Sequence, residues 1–295
     1  VGVAAWATLV EPRLFTVRRY TLPVLPEGAA PLRVLQLSDL HLTPWQHSKI
    51  DWVRRLAELR PDLVVLTGDQ MGHRLARGPL LHALAPFAQA GVPGVFVHGS
   101  NDYFGPVVKN PFGYLTAPSS GHTRSRTPDI DTAALSRGFE KLGFTDLNNA
   151  ATRMQLRGVD LELHGLGDPH IDLDDAATLD ASIAALPKWR KKQQPVQLGV
   201  IHAPYQHALN DLLDRGAEAI FAGHTHGGQV RVPGIGALTA NCDLPVSQAR
   251  GLSVWYDAER AAFLHVSAGL GASMYAPVRF ACRPEASLIT LEAAR

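Results

Sequence analysis

A chain of 295 residues, 46% hydrophobic and 19% charged, can bury a sizeable core and has the make-up of a globular protein. With a formal net charge of +1, nothing points to a broad basic groove or an acidic tail, and nucleic acid is not an expected partner. No stretch reaches the roughly 18 apolar residues of a complete membrane span, and two cysteines, Cys242 and Cys282, make no ladder and are read as buried thiols rather than a bridge.

The chain opens on Val1–Val10, an apolar stretch that reads equally as the remnant of a membrane anchor or signal, or as a short amphipathic helix packed on the domain. Residues 1–30 are therefore set apart from a domain spanning 31–295. Within 1–30, Glu11–Pro26 reads as one or two strands ended by Pro23 and Pro26. The first core strand is Val34–Leu37, a short Val/Leu run that ends in Ser38-Asp39-Leu40-His41. Apolar residues at helical spacing predict a helix over Ser48–Leu59, stopped by Pro61. A second buried strand, Asp62–Leu66, ends in Thr67-Gly68-Asp69, where the glycine permits a sharp turn and a close approach. After a helix at Leu80–Ala90, a third strand, Gly94–His98, ends in Gly99-Ser100-Asn101-Asp102. This alternation predicts parallel, right-handed βαβ units.

Residues 103–131 break that rhythm with a long Gly/Pro/Ser/Thr-rich loop carrying His122, Arg124 and Arg126, the expected substrate lid. A short helix at Thr132–Leu142 precedes strands at Thr145–Leu147, Ala151–Leu156 and Val159–Leu166, which suggest a second sheet. The loop Gly165–His170 and a helix at Leu173–Leu186 follow. The basic run Lys188–Lys192 reads first as a solvated helix end and second as a contact for anionic headgroups. The strand Val196–Ile201 ends in His202, and after a helix at Tyr205–Leu213 the strand Ala217–Ala222 ends in Gly223-His224-Thr225-His226. Strands at Gln229–Val232, Gly251–Asp257, Ala261–Val266 and Ser287–Leu291 make the last third mainly β.

Five strand ends thus carry Asp39 with His41, Asp69, Asn101, His202, and His224 with His226. Each is a candidate ligand for a hard or borderline cation, and open α/β sheets place ligands at such ends. Two divalent ions with one shared carboxylate need about this many ligands, and a pair about 3.5–4 Å apart suits in-line attack on phosphorus.

Asp39-x-His41, Gly68-Asp69, Gly99–Asp102, His202 and Gly223-His224-x-His226, in this order, resemble the calcineurin-like metallophosphoesterase superfamily over residues 32–292, and within it the bacterial, often membrane-associated, actinobacterial-type branch. The resemblance implies a four-layer αββα sandwich of two mixed sheets. It implies two divalent ions (Mn, Fe or Zn), with Asp39, His41 and His226 on the first, Asn101, His202 and His224 on the second, and Asp69 bridging. It implies hydrolysis of a phosphate ester or pyrophosphate by a metal-bridging hydroxide, with a phosphorylated small molecule or lipid-linked compound as substrate and a membrane-associated or cytoplasmic location.

One motif departs from the family, whose Gly-Asn-His-Asp/Glu loop carries a metal-binding Asn and a catalytic His. Gly99-Ser100-Asn101-Asp102 aligns either directly, with Ser100 at the metal, or with a one-residue shift, with Asn101 at the metal and Asp102 in the place of the His. The shift is preferred because an amide oxygen is the better neutral ligand. Asp102, Asn101 and His98 are then candidate catalytic residues, and His73, Arg124 and His170 candidate substrate contacts. Two alternatives stand beside the phosphoesterase: a DNA exonuclease of the same superfamily, which near-neutral charge disfavours, and a non-catalytic scaffold, which the full set of Asp and His ligands disfavours.

Overall fold

The structure is a computed structural model and describes residues 2–106, 126–190, 194–272 and 277–294. Two six-stranded mixed sheets pack face to face between helices. The first sheet runs β1 (Thr16–Leu25), β14 (Glu285–Ala293), β2 (Leu32–Leu37), β3 (Leu63–Thr67), β4 (Gly94–Val97), β5 (Phe144–Asp146). The second runs β12 (Gly251–Tyr256), β13 (Ala261–Val266), β9 (Ala219–Ala222), β8 (Val196–Val200), β7 (Val159–Gly165), β6 (Ala150–Leu156). A small hairpin of β10 (Arg231–Val232) and β11 (Gly236–Ala237) stands apart.

Pattern explains the layers. Strands buried on both faces read as continuous apolar runs, and Leu63-Val64-Val65-Leu66 in β3 is fully buried. Its alternate residues Leu63 and Val65 join Val34, Val95, Leu161, Leu198 and Phe221 in the core between the sheets. Val64 and Leu66 face the other way, onto helices α2 (His47–Arg55), α3 (Arg77–Gln89) and α4 (Thr132–Lys141). On the far side α5 (Ala176–Ala185) and α6 (Gln206–Asp214) cover the second sheet. The result is the αββα sandwich.

β2, β3, β4 and β5 are parallel, as are β7, β8, β9 and β13, so these strands all end on one side of the sandwich. A buried amide ties the sheets together just beneath that side. Gln36 Nε2 donates to Ala222 O across the core at 2.8 Å and to Thr67 Oγ1, and its Oε1 takes a hydrogen bond from His265 Nδ1.

Several expectations shift. The N-terminal strand pairs in parallel with β14, which places residues 16–25 inside the first sheet rather than in a segment set apart at residue 30. β5 joins the first sheet, not the second. The predicted strand Gln229–Val232 shrinks to Arg231–Val232, which pairs with a partner at Gly236–Ala237 that the sequence reading did not contain. The helix expected from Leu173 begins at Ala176, because Asp175 caps it by accepting from Thr178 N. Near the N-terminus Gly2–Ala5 and Trp6–Val10 form short helical turns, and no helix among the described residues is long and apolar enough to cross a membrane. Cys242 is half-buried and Cys282 buried, and both are free. Most of the expected lid, residues 107–125, lies outside the described residues, and so does Arg124.

Candidate metal centre

The carboxyl ends of β2, β3, β4, β8 and β9 converge. Asp39, His41, Asp69, His202 and His224 are all buried, and His226 nearly so. Ligand atoms of Asp39, His41 and His226 form one trio within 4.8 Å, and those of Asp39, Asp69 and His202 another. Asp39 belongs to both trios by distance, but the aim of the oxygens separates them. Asp39 Oδ2 accepts from His224 N and the Ser38 hydroxyl, while its Oδ1 faces His226 Nε2 at 3.6 Å. Asp69 straddles the centre, with Oδ2 3.5 Å from His41 Nε2 and Oδ1 3.6 Å from His202 Nε2.

The histidines are oriented from behind. His202 Nδ1 donates to Thr67 O at 2.7 Å, His226 Nδ1 to Gly271 O at 3.2 Å and His224 Nε2 to Asn241 O at 3.1 Å. In a neutral ring, committing one nitrogen to a carbonyl leaves the other as a lone pair, which is how metal-binding imidazoles are held. The inward nitrogens of His41 and His226 lie 3.2 Å apart. Two lone pairs at that distance repel unless a proton or cation sits between them.

Backbone strain gathers at the same residues. Asp39, His41, Asp69, His224 and His226 all have positive φ, at 48°, 39°, 53°, 69° and 50°. Non-glycine residues seldom adopt this region, and held strain collects where geometry is over-determined. Gly68, at φ 85°, and Gly99 complete the cradle: a Cβ at Gly99 would stand 2.4 Å from Asp69 Oδ1 and 2.6 Å from His202 Nε2.

Electrostatics are unbalanced without a cation. Burial pushes the Asp39 carboxyl up to about 7 although His202 opposes it, with Asp69 adding to the rise. Burial also raises Asp69, but His202 and His41 outweigh it and hold that carboxyl below its ordinary range. Burial takes His41 and His224 down to about 4 and His226 well below its ordinary value, so these rings are neutral. His202 resists burial and rises to about 9 through Asp69, Asp168 and Asp39. Asp39 Oδ1 and His202 Nε2 are buried without a hydrogen-bond partner. Unpartnered inward atoms, neutral imidazoles and a carboxylate facing both halves fit divalent cations.

The Gly99–Asp102 loop resolves differently from expectation. Asn101 N and Nδ2 both lie 2.7 Å from Asp69 oxygens, so Asn101 is the residue of this loop that reaches the centre, with the Ser100 hydroxyl 3.4 Å behind its amide. Asp102 does not reach it. Its Oδ1 accepts from Gln70 N and Met71 N and its Oδ2 from Gly99 N, and it is fully buried. A carboxylate filled by three backbone donors is a loop clamp, so the expected role as acid does not fit. His98 is likewise turned away, its Nε2 on the Ser136 hydroxyl and its ring among Phe96, Tyr103 and Phe139.

His170 lies beside His224, ring centroids 4.3 Å apart, with Nδ1 3.1 Å from the Tyr205 hydroxyl. His73 is at the rim against Trp45, its Nδ1 accepting from Leu75 N. Three neighbours were missed. Asp168, at the carboxyl end of β7, is fully buried with Oδ2 unpartnered, and burial raises it to about 7 against the pull of His202. It carries the same signal as Asp39 and Asp69, an Asp just past a buried strand. Asn241 and the buried Arg279, which donates to the carbonyls of Ala268 and Gly269 and stands 3.4 Å from His226 Nδ1, lie on loops with no such signal.

A two-sheet sandwich with clustered Asp and His at its strand ends defines a class of metal-dependent phosphoric ester hydrolases. The family model for calcineurin-like phosphoesterases matches residues 32–228, more than half of the chain, and the protein belongs to that family. It is 27% identical over 288 residues to phosphodiesterase YaeI of Escherichia coli strain K12, covering 95% of this chain and 90% of that protein. It is 26% identical over 320 residues to the UDP-2,3-diacylglucosamine pyrophosphatase LpxG of Chlamydia trachomatis, covering 96% and 91%. Among solved structures, a 5'-nucleotidase precursor from Thermus thermophilus superposes with a TM-score of 0.48 at 13% identity, over 88% of this chain and 55% of that one.

Proposed function

We propose that the enzyme holds two divalent ions and hydrolyses a phosphodiester or pyrophosphate linkage. Asp39, His41 and His226 would hold the first ion, and Asn101, His202 and His224 the second. Asp69 would serve both, and the observation that carries this is its stance, one oxygen toward His41 and the other toward His202. When bound, the ions supply Lewis acidity and a hydroxide nucleophile near neutral pH, and mixed Asp/His/Asn ligation suits Mn, Fe or Zn.

The protein's own part is positional. The carbonyls of Thr67, Gly271 and Asn241 keep three imidazoles facing inward, and Ser38 and the His224 amide fix Asp39. His170, His73 and Arg124 are proposed to contact the substrate. With Asp102 and His98 committed elsewhere, no side chain of the Gly99–Asp102 loop is placed as a leaving-group acid. That favours leaving groups that depart as stable anions, such as the phosphate of a pyrophosphate or a phenolate, over simple alkyl phosphates. The relatives named as phosphodiesterase and pyrophosphatase support this choice, and the latter's named substrate makes a lipid-linked compound a reasonable class here.

The test is turnover of metal-reconstituted protein on a phosphomonoester, a phosphodiester and a pyrophosphate. Turnover of one of the last two, falling at least about a hundredfold in Asp69→Asn together with metal content, is expected. Activity undiminished in Asp69→Asn would refute the assignment.

A further inference from the structure

We propose that Asp168 is the charge partner of the second ion, a positioning residue that stands behind the ligands and sets how tightly that ion is held without ligating it. This role rests on the two-ion reading and gives work to a buried carboxylate which that reading leaves idle. Topology brings Asp168 to the place. β7 and β8 run parallel with Gly165 opposite Val200, and Leu166 N donates to Val200 O. The chain therefore leaves the two strands side by side, with Asp168 just past one end and His202 just past the other. The His170 ring, two residues on, lies 4.3 Å from that of His224, which lies 5.2 Å from that of His202.

A structural duty accounts for only half of this side chain. Oδ1 accepts from His170 N at 3.0 Å and so caps the turn Pro169–Ile171. Oδ2 is buried with no hydrogen-bond partner. A carboxylate oxygen left in that state is costly unless a donor or a cation meets it. The charged groups that act on it belong to the centre, His202 attracting and Asp69 repelling. An imidazole that ligates an ion is neutral, so in the loaded centre the positive charge near Asp168 is the ion's own. Asp168 stands outside the trio of Asp39, Asp69 and His202, whose ligand atoms gather within 4.8 Å, and this places it beside the ligands rather than among them.

Charge balance gives the reason for such a neighbour. The first ion has Asp39 to itself and a share of Asp69. The second has Asn101, His202 and His224, all neutral, and the other oxygen of Asp69. A dication in a dry interior is poorly neutralised by such a set, and a carboxylate within about 4–6 Å acts on it strongly. Asp168 removes the asymmetry, leaving one carboxylate for each half of the centre besides the shared one. Asparagine separates the two duties of the position. It keeps an oxygen to accept from His170 N, but it brings no charge to the ion.

The test reads metal binding, not turnover. Metal-depleted full chain is titrated with zinc by calorimetry, as wild type and as Asp168→Asn. Wild type should take up two ions, and Asp168→Asn should hold one as tightly and the other at least about tenfold more weakly. Anomalous scattering from Asp168→Asn crystals grown at limiting zinc should keep the peak beside Asp39 and lose the one beside His202, whereas Asp39→Asn should show the reverse. Two ions bound by Asp168→Asn as tightly as by wild type would overturn the proposal and leave Asp168 as a turn cap. Equal weakening of both ions would overturn it as well. Wild-type crystals loaded with zinc give a check that needs no variant: the second peak should lie within about 6 Å of the Asp168 carboxylate, and a clearly greater distance would contradict the role. Fewer than two ions in wild-type protein would overturn the two-ion reading and this role with it, whereas two ions with no effect of Asp168→Asn would overturn this role alone.

Discussion

Asp102 and His265 show how burial decides what a titratable side chain can do. Asp102 sits among the motif residues, yet its oxygens are spent on the backbone of Gln70, Met71 and Gly99. Asp102→Ala should therefore destabilise the fold by about 2–4 kcal/mol, as three buried amides lose their acceptor. Its effect on turnover should be the same for good and poor leaving groups. A loss confined to poor leaving groups, measured across a series of aryl phosphodiesters, would restore Asp102 as the acid. His265 is fully buried against Gln36, and burial takes its imidazole down to about 3, with Arg250 adding. The unfolded chain then takes up a proton as pH falls below the ordinary 6.5 while the folded chain does not, so stability is lost with acidification over that range. His265→Gln, a donor that does not titrate, should recover on the order of 3 kcal/mol of that loss between about pH 7 and pH 4.5, read by urea unfolding at each pH. Parallel stability curves for the two proteins would contradict this.

Among elements, the segment 277–284 matters most beyond the strands, and nothing in the sequence announced it. Arg279 is fully buried, donates to the carbonyls of Ala268, Gly269 and Cys282 and to that of Gly271, and so fixes the loop whose Gly271 O orients His226. Arg279→Met should cost about 3 kcal/mol or more and reduce metal retention, and Arg279→Lys should restore little because one ammonium cannot reproduce the fork. Thermal melts and metal content check both. The ligand-bearing turns, by contrast, were legible. Asp39, Asp69, His202 and His224 each follow a short apolar run, and a parallel sheet carries such ends to one place. Side-chain direction inside the tight turn Ser100–Asp102 was not legible, because spacing along the chain does not say which of two neighbours faces the cleft. Contacts made by backbone carbonyls, as at Asn241, leave no residue code at all. Gly99→Ala tests the tightness of that turn: with a Cβ 2.4 Å from Asp69 Oδ1, it should lower metal content at least about tenfold while the far-ultraviolet spectrum stays native.

For the whole molecule, the two sheets are the device that makes the centre. Asp39, His41, Asp69 and Asn101 come from the first and His202, His224 and His226 from the second. Gln36, bridging to Ala222 and Thr67 just below, keeps the two sets in register. The strand ends were foreseeable from apolar runs and Gly/Pro punctuation, and the layer order from the family resemblance that those ends carried. The small β10–β11 hairpin was not, since two-residue strands carry no periodicity. The most direct test of the account is anomalous scattering from crystals of the protein loaded with manganese or zinc. Two peaks about 3.5–4 Å apart on either side of Asp69 are predicted, one reached by Asp39, His41 and His226 and the other by Asn101, His202 and His224. A single peak away from Asp69, or none among these residues, would contradict it.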